Sequence, residues 1–126
     1  MTIRRINMSE QNIVRFKANQ RLSTAVRAGG FLFISGLFAE ETRHGNVQEQ
    51  TKEILSRIDD ILADNGLTKE RVVTAQIWLT DISTFDEFNV AWGEWVPEDA
   101  KPARVCVETK LPDPLLKVEI MMTALL

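Results

Sequence analysis

Residues Lys101 to Ile120 read KPARVCVETKLPDPLLKVEI, and the fold turns on how this stretch pairs. Arg104, Cys106 and Glu108 alternate with Val105, Val107 and Thr109, the period of two that marks a strand. Leu111-Pro-Asp-Pro114 then interrupts, because two prolines and an aspartate favour a turn over a strand interior. Beyond it Leu116, Val118, Ile120 and Met122 alternate with Lys117, Glu119 and Met121. The stretch therefore reads as a β-hairpin. With Lys110 set opposite Leu115, antiparallel pairing places Cys106 opposite Glu119 and Arg104 opposite Met121. Arg104 and Glu119 become diagonal neighbours on one face, roughly 7–8 Å apart at the backbone. A slip of one residue would send them to opposite faces.

An arginine and a glutamate held near each other carry two readings. A guanidinium forms two parallel hydrogen bonds to a carboxylate, and that carboxylate can be a substrate's. Glu119 would then hold or deprotonate a water beside the bound acid. Alternatively Arg104 and Glu119 pair with each other. On pattern alone the mutual pair is the favoured account, because most charge pairs are structural.

The chain around this stretch has 126 residues, enough for one domain (1–126) with a sizeable core. A hydrophobic content of 44% and a charged content of 26% are ordinary for a soluble globular protein. A net charge of −3 speaks against a general nucleic-acid binder, which is usually basic, so no nucleic-acid partner is expected. The lone Cys106 leaves no intrachain disulfide and fits a reducing compartment. MTIRRINMSEQ lacks the apolar segment of a signal peptide, and no apolar run approaches the roughly 20 residues of a membrane span. A cytoplasmic location without a membrane partner is expected.

Upstream, the polar residues 1–20 hold short alternating pieces at Ile3–Ile6 and Val14–Lys17 that read as a short edge strand. Leu22–Val26 and Phe31–Ser35 flank the turn signal Arg27-Ala-Gly-Gly30 and read as a hairpin. Phe31-Leu-Phe-Ile34 is nearly continuous in apolar residues, which predicts a strand buried on both faces. Ser35-Gly36 follows, and a glycine there permits close approach of a backbone or ligand. His44, the only histidine, sits in the polar loop 39–46 with no evident acid or nucleophile beside it, so it reads as solvated.

Asn46 with Glu49 three residues on forms a capping box. Val47, Ile54, Leu55, Ile58, Ile61 and Leu62 then share one helical face, and Asn65-Gly66 ends the helix. Val72–Leu79 reads as a strand. Asp81–Thr84 offers a cap for a second helix lined by Phe85, Phe88, Trp92, Trp95 and Val96 and stopped at Pro97. At helical spacing the tryptophans belong to a core rather than to a ring-binding site. The order is β-β-α-β-α-β-β, an α+β fold with one sheet and two helices. Two helices cover only one face of such a sheet. The other, carrying Val105, Val107 or their alternates and Leu116 to Met122, needs a partner subunit, so an oligomer is expected.

Several chemistries lack their residues. Gly29-Gly30 is too short for a phosphate loop, and one Cys with one His cannot make the usual zinc cluster. Ser35 has no plausible His partner, and Asp59-Asp60 sits on a helix face where solvation is expected rather than metal binding. Acid–base chemistry without a cofactor, or binding alone, is left.

From Leu22 to Ala124 the sequence resembles the RidA/YjgF family of imine and enamine deaminases, nearest its YoaB-like branch. The resemblance lies in LSTAV (22–26), FISG (33–36), the D-x-x-x-F-x-x-x-N run from Asp81 to Asn89, PARVCVE (102–108) and KVEI (117–120). It implies a chorismate-mutase-like mixed sheet backed by two helices, assembled as a homotrimer around a central barrel, with clefts between subunits. It implies that Arg104 binds the substrate carboxylate and Glu119 positions the water. Ser35, the backbones of Gly36 and Cys106, and Asn89 would shape the pocket. Typical members have Gly-Pro-Tyr-Ser where this chain has Gln20-Arg21-Leu22-Ser23, so Leu22 replaces the tyrosine lining the pocket. Where the family has Gln-x-Pro this chain has Leu37-Phe38-Ala39, and both changes imply a more apolar site.

The expected activity is hydrolysis of 2-imino or enamino acids to 2-keto acids and ammonia, with no cofactor and no metal. The alternatives are a trimer that binds small carboxylates without turnover or acts as a chaperone, and RNA cleavage, a label this family often carries. Nuclease chemistry wants an acid–base pair and cationic phosphate contacts, which one loop histidine and a negative chain do not supply.

Overall fold

The computed structural model describes residues 12–126, so the Ile3–Ile6 piece of the expected edge strand lies outside the described residues. Six strands and two helices follow in the order β1 (Val14–Ala18), β2 (Ser23–Ala28), β3 (Phe31–Leu37), α1 (Val47–Asp64), β4 (Val72–Leu79), α2 (Phe85–Trp95), β5 (Ala103–Glu108) and β6 (Val118–Leu125). The edge strand expected at Val14–Lys17 is present as β1, which adds one strand to the order read from the sequence. Among the described residues no helix is long and apolar enough to cross a membrane.

Local chemistry sets these boundaries. Gly29 and Gly30 both take positive φ, 59° and 85°, which a two-residue hairpin turn requires between β2 and β3. Helix α1 starts at the expected capping box: Glu49 N donates to Asn46 Oδ1 (2.9 Å) and Asn46 N donates to Glu49 Oε1 (3.1 Å). It ends at Asn65, with Gly66 at φ 71°. A short 3-10 turn, Ile82–Thr84, leads into α2, and there Ile82 N donates to Glu108 Oε2 (2.8 Å), tying the head of α2 to the end of β5.

The sheet order is β1-β2-β3-β6-β4-β5, antiparallel throughout except for the parallel pair β4–β5. The hairpin expected over Lys101–Ile120 is therefore absent. Both of its strands form, but β4 lies between them. Helix α2 packs on the sheet as the crossover from β4 to β5, and a strand–helix–strand unit sets its strands parallel and adjacent. Arg104 pairs with Ala75, not across from Met121, and Glu119 pairs with Trp78, not with Cys106. Ala75 and Met122 are buried under the helices. Arg104 and Cys106, in register with Ala75 and Ile77, share that helix-covered face, whereas Glu119 lies on the open one. The two charged residues are on opposite faces of the sheet, not on one.

The core lies between the sheet and the helices. Ile54, Ile58 and Leu62 of α1 and Phe88, Trp92 and Trp95 of α2 pack against Leu32, Ile34, Ile77, Val118, Ile120 and Met122. Each fully buried aliphatic side chain stabilises by roughly 1.5–3 kcal/mol. The tryptophans are core, as read, and Trp95 Nε1 donates to Asp59 Oδ1 (3.0 Å), so Asp59 is bonded rather than merely solvated. The open face also differs from expectation. Leu116, Val118, Ile120 and Met122 point to the helices, while Val105 (49% exposed) and Val107 (42%) face outward. Phe31 (37%) and Phe33 (40%) face outward too, so β3 is buried on one face of the single chain and not on both.

Nothing regular joins β5 to β6. Residues 109–117 cross the end of β4, with Thr109 N donating to Leu79 O and Thr80 N donating to Lys117 O. Gln50, fully buried on α1, anchors the crossing. Its Nε2 lies 3.0 Å from Leu115 O, 3.1 Å from Arg43 O and 3.2 Å from Gly45 O, and its Oε1 accepts from Lys117 N (2.9 Å). Gln50→Leu keeps the bulk and strips these partners, leaving buried backbone groups unpaired. It should destabilise the protein by about 3 kcal/mol. Urea denaturation at one fixed protein concentration would measure this, and a loss below about 0.5 kcal/mol would show that the amide is incidental.

Candidate functional site

One group of candidate residues gathers where β3 bulges. Between Ile34↔Met122 and Leu37↔Ile120, β3 carries one residue more than β6. A bulge bends a strand and re-aims its side chains, and here it falls on Ser35-Gly36. A Cβ on Gly36 would stand 3.0 Å from Glu119 Cδ, 3.1 Å from Oε1 and 3.3 Å from Oε2, so the carboxylate lies against the bare glycine backbone. Burial pushes the Glu119 carboxyl above the usual carboxylate range. Ser35 and Gly36 line a cleft of about 440 Å³ whose other walls include Leu22, Phe38, Arg43 and Arg57. Leu22 (47% exposed) is held there by the turn from β1 to β2, in which Arg21 N and Leu22 N both donate to Asn19 Oδ1.

The rim of this cleft is the segment from Phe38 to Thr42, and α1 holds it. Glu53 accepts from Glu40 N (2.7 Å), Thr42 N (2.8 Å) and Thr42 Oγ1 (2.7 Å). Burial opposes ionisation of Glu53, but these bonds and one from the backbone of Glu41 outweigh it and lower the carboxyl to about 2. One turn further along, Arg57 donates to Phe38 O (2.7 Å) and pairs with Glu40 at 3.3 Å. Arg43 pairs with Asp113. The cations of the cleft are thus already paired, and the apolar surfaces of Leu22 and Phe38 remain.

A second group of candidate residues lies at the edge of the sheet, on β5. Arg104 Nη1 donates to Asn89 Oδ1 of α2 (2.8 Å). Cys106, next on the same face, is half-buried; burial raises its thiol, with the Arg104 charge opposing, so sulfur here is a poor thiolate nucleophile. Arg104, Cys106 and Asn89 are brought together, as are Ser35, Gly36, Glu119 and Leu22, but the two sets are not joined within one chain. His44 is exposed in the turn 41–44.

A mixed sheet of this order, backed by two helices on one face, has known relatives. Residues 12–126 match the family model described as Endoribonuclease L-PSP. A RutC family protein of Haemophilus influenzae is 41% identical over 89% of this chain and 97% of its own. The RutC family protein YoaB of Escherichia coli is 35% identical over 89% and 96%. The crystal structure of a YjgF family member from Neisseria meningitidis superposes with a TM-score of 0.87 at 39% identity, covering 92% of this chain and 96% of that one. The chain belongs to the RidA/YjgF family, as its sequence motifs imply.

Sequence reasoning missed the rim. Glu53 and Arg57 stand four apart on α1 and look there like a solvated charge pair; nothing local shows that they reach back to residues 38–42. The staple has a pH signature. Because the folded carboxyl of Glu53 is depressed, its contribution is complete above its ordinary value near 4.5 and is lost as pH falls toward about 2. Glu53→Gln should be less stable than the parent at neutral pH, and the gap should close over that window. Urea midpoints of both proteins across pH 2–7 would check this, and a constant gap would rule out the ionised staple.

Proposed function

We propose that this protein hydrolyses 2-imino acids, and that its sites are completed between copies of the chain. The observation carrying this reading is the separation of the two half-sites. Among the described residues Arg104 has no carboxylate partner and Glu119 has no cation partner. They lie on opposite faces of the sheet, so only a second copy can bring them together. The outward Phe31, Phe33, Val105 and Val107 give the open face the apolar character that a subunit interface buries. A homotrimer around a central barrel satisfies both requirements.

In such a cleft Arg104 binds the substrate carboxylate through its guanidinium fork. Asn89 and the backbone of Cys106 stand beside it, and Gly36, Ser35 and Leu22 form the facing wall. Glu119, its basicity raised by burial, accepts a proton from water as the water oxygen attacks the protonated imine carbon. The C–O bond forms and the C=N π pair moves to nitrogen. The proton then passes to that nitrogen. As the C–N bond breaks, an oxygen lone pair forms the C=O bond and the remaining hydroxyl proton goes to Glu119. The 2-keto acid and ammonia leave, ammonia taking that proton away as ammonium. Positioning and general acid–base catalysis, the latter worth roughly 10²–10⁴-fold, require no cofactor here. A protein that only binds small carboxylates would use Arg104 in the same way and show no turnover.

The test generates the imine with a threonine dehydratase and follows keto-acid release. Arg104→Ala should abolish hydrolysis and weaken pyruvate binding by roughly 2–5 kcal/mol. Glu119→Gln should lose turnover and still bind pyruvate. Co-expressed in equal amounts, the two inactive variants should regain about a quarter of parental activity, because one site in four then combines an intact arginine with an intact glutamate from the neighbour. Absence of any regain in mixed oligomers would refute sites shared between copies. Full activity in Glu119→Gln would remove Glu119 from the water-handling role, and a monomer mass by light scattering would refute the assembly.

A further inference from the structure

Arg104 is held without being neutralised. Its Nη1 donates to the Asn89 carbonyl at 2.8 Å, and its Nε and Nη2 donate to no described residue. Beneath the guanidinium lie three rings of α2: Cζ is 5.4 Å from the centroid of Trp92, 5.6 Å from Phe85 and 5.8 Å from Phe88. Phe85, Phe88, Asn89 and Trp92 are spaced at three and four residues along one helix, so they present a single ledge. The rings supply a floor of negative quadrupole that attracts the cation and fixes the plane of the fork. The amide supplies an acceptor that fixes one nitrogen.

The choice of an amide over an acid has a consequence. An aspartate at position 89 would have nearly the same shape, but at 2.8 Å it would give Arg104 an internal counter-ion. A neutral carbonyl orients the guanidinium and leaves its whole charge, and its Nε–Nη2 edge, for an incoming carboxylate. We propose that Asn89 is a positioning residue for Arg104, aiming the free edge of the fork at the substrate carboxylate from the aromatic ledge of α2. Asn89 then acts through Arg104 and need not touch the substrate. This inference rests on Arg104 being the carboxylate anchor.

The experiment compares the parent, Arg104→Ala, Asn89→Asp and Asn89→Ala, each checked for assembly by light scattering and for a native circular dichroism spectrum. The readouts are pyruvate affinity by calorimetry and KM and kcat for imine hydrolysis. Asn89→Asp should raise the pyruvate Kd and the KM by roughly ten- to a hundredfold, the worth of a charge-assisted contact, with kcat at saturation little changed. Asn89→Ala should raise them less, because it loosens the arginine without supplying a rival anion. Asn89→Asp and Asn89→Ala with equal effects would overturn the proposal, since an amide that serves the fold alone would not distinguish an internal carboxylate from a methyl group. Parental affinity in Asn89→Asp would overturn it as well. Arg104→Ala reads the underlying assignment separately: if that variant binds pyruvate as the parent does, the anchor itself is wrong and both readings fall.

Discussion

One buried amide joins the parts of this chain that neither helix nor sheet unites. Residues 109–117, broken by Pro112 and Pro114, cannot continue as a strand, and their backbone groups pass close to the core. Gln50 accepts from Lys117 N and donates to Leu115 O, and the same side chain bonds Arg43 O and Gly45 O. These bonds fix where β6 begins. From that start follow the register of Val118 on Leu79 and Glu119 on Trp78, and hence the face that Glu119 occupies. A polar group so deep is tolerated because it is fully bonded. Without it Arg43 O, Leu115 O and Lys117 N would lose the side-chain bond that satisfies them, Gly45 O alone keeping one from Lys117 Nζ.

The parallel crossover from β4 through α2 to β5 imposes the second constraint. It puts β5 at the edge of the sheet with Arg104 leaning on α2, while the centre of the sheet goes to β6. The bulge in β3 turns Gly36 toward Glu119 on the other face. One chain therefore carries the arginine cation on its helical side and the Glu119 carboxylate on its open side. The sheet that separates them also holds each rigid.

Much of this was legible in the residues. Capping at Asn46, the glycine turn at residues 29–30, the strands and the aromatic stripe of α2 all follow from local patterns, and all are present. Pairing was not legible. Alternation shows that residues 103–108 and 118–125 are strands, but it cannot show that a helix packed elsewhere will bring β4 between them. The faces misled for a related reason. Leu116, Val118, Ile120 and Met122 read as the open face but meet the helices instead. The rings of Phe85, Phe88 and Trp92 hold Arg104 on that same side, while Val105 and Val107 face outward as read. Of the candidate site, the family resemblance named Gly36 and Glu119 as pocket residues, but their direct contact was not legible, because the two are far apart in sequence and meet where β3 bulges. The rim held by Glu53 had no local signal at all.

That rim has a mechanical consequence. Gln50, Glu53 and Arg57 run along one side of α1, and between them they hold residues 38–45 from end to end. The segment is a loop by its dihedral angles but is coupled to the helix as if it were part of it. A flap that swings over the cleft would have to break the Glu53 bonds, each of them to an anion, and uncover the helix beneath. This wall consequently offers a fixed aperture. The opening lined by Leu22 and Phe38 keeps the shape that this stapled backbone gives it, with no hinge left in the segment to narrow it.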